Sequence, residues 1–189
     1  DFIATIFTER LGKTSFIIKN ARKSKKRFSG KLEPFNLVIV NFKSNSSDNS
    51  TKILNSIQLD DNYDNQIMDK NTIILSSLVN EYIDNFEINE VPNSKTFDLI
   101  KNFFLKVSKE SLIKVLDKIL EFQISYLTLQ GLKPTLKELE RIEGKKVLVE
   151  KSKIKKNASS RIKLIKSIAK FSQFHSGKEL NSIKYLDLL

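Results

Sequence analysis

Along the N-terminal third of the chain apolar residues recur every second position, and beyond it every third or fourth. Residues 2–8 (FIATIFT) and 14–20 (TSFIIKN) are short β-branched and aromatic runs joined by ERLGK, where Gly12 supplies the positive φ that a tight connection requires. They predict a β-hairpin. Residues 35–43 (FNLVIVNFK) predict a third strand, with Phe35, Leu37 and Ile39 on one face and Val38, Val40 and Phe42 on the other. Apolar residues on both faces place such a strand in a barrel wall or sandwich. SNSSDNS (44–50) reads as a polar turn and TKILNSIQL (51–59) as a fourth strand.

After Asp64 the period lengthens. Ile74, Leu78, Tyr82 and Phe86 step by four along one face of a helix expected over 66–87. Pro92 interrupts, and Asn93 or Ser94 caps a second helix with Phe97, Ile100, Phe104 and Val107 facing inward. A third is expected to start from a Ser108 cap, to bury Leu112, Val115, Leu116, Ile119, Gln123, Tyr126 and Leu127, and to stop at Gly131 and Pro134. PTLKELERI predicts a short helix, KKVLVEK a strand, and residues 159–175 a long helix ending near Gly177, with a short one after Ser182. The fold class expected is α+β: a β unit over 1–64 and a helical unit over 65–189.

Charge changes this picture by its distribution. The net charge of +11 divides into +7 over residues 1–43, −5 over 44–106 and +9 over 107–189. Eight Lys or Arg fall between Lys13 and Lys31 without one acid, and three of the five Arg (Arg10, Arg22 and Arg27) fall within one short window. Like charges at that density repel, so the segment costs folding free energy unless an anion supplies the missing sign. Arg offers a planar fork that takes phosphate two bonds at a time. Zero Cys excludes disulfides and thiolate metal sites, and a single His leaves little material for a zinc site or a His-dependent nucleophile triad. No run approaches the roughly 18 apolar residues of a membrane span, and Asp1–Arg10 lacks the pattern of a signal peptide, so a soluble, unexported protein is expected, cytoplasmic and nucleoid-associated.

Three short motifs invite chemistry and fail on context. LGKT (11–14) ends like a phosphate-cradling loop, but its first Gly would have to be Phe7, and a strand follows where a helix N-terminus is needed. LDDNYD (59–64) matches DDxxD, but Asp60, Asp61 and Asp64 follow a strand and occur once, so they read as a solvated turn; an Mg²⁺ enzyme is the third-ranked reading. His175, with Gly177 behind it, suits a helix C-terminus.

ARKSKKRFSGK (21–31) is the strongest feature. Phe28 inside it offers either a face on which a base stacks or an anchor buried in the core, while Ser24, Ser29 and Gly30 allow close backbone approach to phosphates. The candidate nucleic-acid contacts are Arg10, Lys13, Lys19, Arg22, Lys23, Lys25, Lys26, Arg27, Phe28 and Lys31. Loops between strands of a small Greek-key barrel are where OB-folds grip oligonucleotides.

The segment IFTERLGKTSFIIKNARKSKKRFSGKLEPFNLVIVNF resembles the N-terminal part of the bacterial RecO family, through Phe7, Thr8, Gly12, Lys13, Lys19, Ala21, Arg22, Arg27, Phe28, Gly30, Leu32, Pro34 and Phe35. IAKFSQFHSGKELNSIKYLDLL is similar to that family's C-terminal pattern, through Phe174, His175, Gly177, Leu180, Ser182, Tyr185 and Leu186. The resemblance implies an OB-fold-like N-terminal barrel followed by a helical bundle. The family has a strand before the position of Asp1, so the chain is expected to begin about twenty residues late and to lack the first of five barrel strands. Asn20 stands where the family has Gly, at a turn that Asn tolerates. A four-Cys zinc knuckle common in the family has no counterpart in residues 131–160, so no metal or other cofactor is expected.

What the resemblance implies functionally is a non-enzymatic recombination mediator. It would bind and anneal single- and double-stranded DNA, contact the acidic C-terminal tail of single-stranded-DNA-binding protein (SSB), and with RecR help load RecA, without a membrane role. Lys163, Lys166 and Lys170, beside Ile162, Ile165 and Ala169, are the candidate seat for that tail. An OB-type RNA-binding module acting in translation is the runner-up.

Overall fold

The computed structural model describes residues 1–21, 28, 30–45, 48–60, 69–107, 110–143 and 157–189. Within these the chain is α+β and divides into two compact units, Asp1–Asn65 with Glu87–Phe97, and Gln66–Phe86 with Asp98–Leu189. The sheet of the first unit contains β1 (Phe2–Thr8), β2 (Gly12–Ile18), β3 (Val38–Asn45) and β4 (Asp48–Leu59), in the order β1-β2-β4-β3. β1 and β2 form the expected antiparallel hairpin, as do β3 and β4, whereas β2 meets β4 in parallel at Ile17 and Ile53. That parallel contact separates the sheet from a meander. It also requires a long connection from β2 to β3, and the basic segment lies on it.

The hairpin register puts Ala4 opposite Phe16 and Ile6 opposite Thr14. On that face Phe16, Ile18, Phe28, Leu54 and Ile57 form a buried cluster, against which Ala4, Ile6, Ala21, Leu32, Val38, Val40 and Phe42 pack. Phe16 meets Phe42 edge-on at 5.3 Å. Three boundaries differ from expectation. Phe35 has φ 70° and belongs to a turn, so β3 starts at Val38. β4 reaches back to Asp48 through the polar stretch, because strand pairing uses backbone groups that any side chain leaves available. Glu87–Phe97, expected to run from the end of one helix across Pro92 into the first turn of the next, groups instead with the β unit.

The helices are α1 (Lys70–Phe86), α2 (Ser94–Val107), α3 (Leu112–Leu129), α4 (Leu136–Glu143) and α5 (Ala158–Ser176), followed by a 3₁₀ helix over Asn181–Leu188. Their starts follow capping chemistry. Asp69 accepts the Thr72 N–H at 3.0 Å, Asn93 that of Thr96 at 3.1 Å and Asn157 that of Ser160 at 3.0 Å. Thr135 and Glu138 form a capping box, the carboxylate accepting from the Thr135 N–H at 2.8 Å. Ser111, rather than Ser108, occupies the cap position of α3. Gly177 ends α5 in the left-handed region at φ 68°. The strand expected from KKVLVEK lies outside the described residues.

The helical unit buries the face expected of α3, with Phe122 added to it and Leu112 only half-buried. Tyr82 meets Phe122 at 5.9 Å and Tyr126 at 5.6 Å, both edge-on. Its hydroxyl is buried too, so it needs partners. Gln123 Nε2 donates to it at 3.1 Å and to the Ile165 carbonyl at 3.2 Å, and Ser172 Oγ lies 2.8 Å from it. Burial pushes the Tyr82 phenol well above its ordinary pKa, against the two hydrogen bonds that pull it down. Glu81 ties the 3₁₀ helix to α1 by accepting from the Asn181 and Ser182 amides at 2.5 and 2.8 Å. No helix among the described residues is long and apolar enough to cross a membrane.

Candidate nucleic-acid interface

Thr8 builds the turn of the first hairpin. Its Oγ1 donates to the Gly12 carbonyl at 3.0 Å and accepts the Leu11 N–H at 3.0 Å, while Thr14 Oγ1 donates to the Leu11 carbonyl at 3.1 Å. Gly12 follows at φ 67°, and a Cβ there would fall 2.1 Å from the Val91 carbonyl oxygen. Only glycine fits that approach. It lets the Glu90 N–H reach the Lys13 carbonyl at 2.9 Å, and lets Asn89 bridge to Lys13 in parallel. Phe7, opposite Lys13, then meets Phe97 at 6.2 Å, and Lys52 pairs with Glu90. The turn is a structural joint of the β unit, and β2 begins where a phosphate loop would need a helix.

At the other end of β2, Asn20 takes φ 55°, a conformation that Asn tolerates, and its N–H donates to Asp1 Oδ1 at 2.9 Å. Ala21 packs against the β core. The chain returns at Phe28, which is 4% exposed within the same core. Of the two roles open to Phe28, anchor is the one observed; a ring so covered has no face for a base. The segment is therefore fastened at Ala21 and Phe28. Arg22, Lys23, Lys25, Lys26 and Arg27, the cations between these anchors, lie outside the described residues.

The remaining cations divide by position. Lys19 is exposed beside Asn20, and Lys31 is half-buried just beyond Phe28, its N–H donating to the Phe28 carbonyl at 3.2 Å. These two flank the basic segment. Arg10 is exposed in the hairpin turn and Lys13 is half-buried at the start of β2. Six residue steps of extended chain separate Lys13 from Lys19, roughly 20 Å at the rise of a strand. Arg10 and Lys13 thus stand at the opposite end of the hairpin from Lys19.

Residues 1–63 match the family model described as Recombination protein O N terminal. Those residues are a RecO N-terminal domain. A protein of Syntrophus aciditrophicus named DNA repair protein RecO is 31% identical over 136 residues, covering 72% of this chain and 51% of that protein. The protein of the same name from Desulfatibacillum aliphaticivorans is 32% identical over 137 residues, covering 72% and 52%. The one from Desulfosudis oleivorans is 26% identical over 155 residues, covering 78% and 59%. The chain thus spans about half the length of the first two of these relatives.

In the helical unit the lysine stripe expected to seat an acidic tail is differently placed. Ile165 and Ala169 are fully buried, Lys166 pairs with Asp187, and Lys163 and Lys170 are exposed. Ile165 and Ala169 offer no apolar surface beside those lysines, because the unit's own core has taken it. A shallow groove between α2 and α3 sets Lys106 and Lys118 beside the half-buried Leu99, with Asn102, Glu121 and the buried rings of Phe103 and Phe122 completing the lining. Spacing alone did not reveal it, since its two lysines sit on different helices.

Proposed function

We propose that the chain is a non-enzymatic DNA-binding mediator of recombinational repair, binding single- and double-stranded DNA and promoting strand annealing. The observation that carries this reading is the acid-free basic segment fastened at Ala21 and Phe28 to the core of a RecO-type β unit. Two DNA strands bound near one another repel less once their phosphates are neutralised. RecR, the acidic SSB tail and, through them, RecA are the proposed partners. The α2–α3 groove supports the tail as ligand, since it places two lysines beside the apolar side chain of Leu99, a pairing that suits an acidic peptide with an apolar end.

A salt titration tests the DNA reading. Replacing Arg22, Lys25, Lys26 and Arg27 together with Ala is expected to weaken binding of a labelled oligothymidylate and to reduce the log–log salt slope by about one unit for each phosphate no longer neutralised. Wild-type affinity and slope in this variant would show the segment to be merely solvated. Tighter binding of RNA than of DNA of equal sequence would instead favour a translational RNA-binding module.

A further inference from the structure

The connection that closes the basic segment is held more firmly than its polar sequence suggests. Asn36 Nδ2 donates to the Gly30 carbonyl and to the Lys31 carbonyl, each at 3.2 Å. The Lys31 N–H donates to the Phe28 carbonyl at 3.2 Å and the Asn36 N–H to the Glu33 carbonyl at 3.4 Å. Phe35, immediately before Asn36, sits at φ 70°, a conformation that a bulky residue keeps only where its surroundings hold it. Gly30 is at φ 68° as well, and a Cβ placed on it would meet nothing within 4 Å. Open space therefore lies beside the backbone there.

Carbonyl oxygens carry partial negative charge and repel a phosphate, whereas a backbone whose carbonyls are engaged by amide donors opposes an anion less. We propose that Asn36 is a positioning residue for nucleic-acid binding: its side-chain amide engages the Gly30 and Lys31 carbonyls and fixes the orientation of those two peptides, so that a phosphate approaches the open side of Gly30 next to Lys31. Asn36 itself touches no DNA in this scheme. The inference rests on the DNA-binding reading and adds to it a residue whose uncharged side chain would not mark it as part of a phosphate surface.

The test compares wild type with Asn36→Ala, using a labelled oligothymidylate over a range of salt concentrations and well below the melting temperature. Loss of two amide donors is expected to weaken binding about tenfold, in keeping with the net worth of such bonds. The salt slope is expected to fall by about one unit, because a misplaced Lys31 loses its phosphate. Wild-type affinity and slope in Asn36→Ala, with only a lowered Tm, would make the residue structural and overturn the proposal, while leaving the DNA-binding reading intact. Wild type that fails to bind would remove that reading and the proposal together. If Asn36→Ala does not fold, Asn36→Ser is measured in its place; retaining one donor, it is expected to fall between wild type and complete loss, and equality with wild type overturns the proposal in the same way.

Discussion

Replacing Gly12 with alanine tests how the β unit holds its returning segment. Two costs add. A side chain at φ 67° carries about 1–2 kcal/mol of left-handed strain. The new Cβ would also lie 2.1 Å from the Val91 carbonyl oxygen and 2.5 Å from its carbon, and these are backbone atoms with no rotamer to yield. Glu87–Phe97 must therefore move off β2. That movement removes the Glu90-to-Lys13 backbone bond, worth about 0.5–1.5 kcal/mol, and the Phe7–Phe97 ring pair, worth about 0.5–1.5 kcal/mol. Summed, the expected loss is about 2–5 kcal/mol. Gly30→Ala is the internal control, since Gly30 has φ 68° but open space where the Cβ would go, and it should show only the strain. Urea denaturation gives the two stabilities, and hydrogen exchange of the Glu90 amide reports the joint directly. Equal stability of the two variants with Glu90 still protected would refute the close approach.

Phe28→Ala is expected to destabilise the β unit by about 3–5 kcal/mol, the usual loss for a buried Phe, while leaving the salt slope of DNA binding unchanged. Unchanged melting with weakened single-strand binding would return Phe28 to the role of stacking platform. For the helical unit, a synthetic acidic peptide with the composition of an SSB tail should bind wild type and lose that binding in Lys106→Glu/Lys118→Glu. Retained affinity there, with loss in a Lys163→Glu/Lys170→Glu variant, would place the tail on α5 instead.

The parts legible in the sequence were those set by neighbouring residues. β1 and β2 follow from alternation around Gly12, α3 from its three- and four-residue spacing, and the positive φ of Asn20 from a substitution that only a few residue types tolerate. What escaped was decided by contacts between distant positions. Val91 reaches Gly12 across a wide separation in sequence, so nothing in the residues around Pro92 marked Glu87–Phe97 as part of the β unit. On α5 helical spacing defines a lysine stripe but not what covers the apolar one beside it, where Ile165 and Ala169 are buried.

The basic segment shows both kinds of information at once. Its charge is a property of composition and was readable directly, whereas the support for that charge is tertiary. Ala21 and Phe28 enter the core shared by Phe16, Ile18, Leu54 and Ile57, and Asn36 engages the chain just beyond. A sheet stabilised by apolar burial can carry mutually repelling cations on a tethered connection, because the repulsion acts between side chains that the core does not need. On the proposed reading, stability and anion binding depend on different residues of the same stretch. That is why exchanging its cations should change the salt dependence of binding, why removing its buried ring should change melting, and why Asn36, at the junction, is the position where positioning must be separated from stability by measuring both.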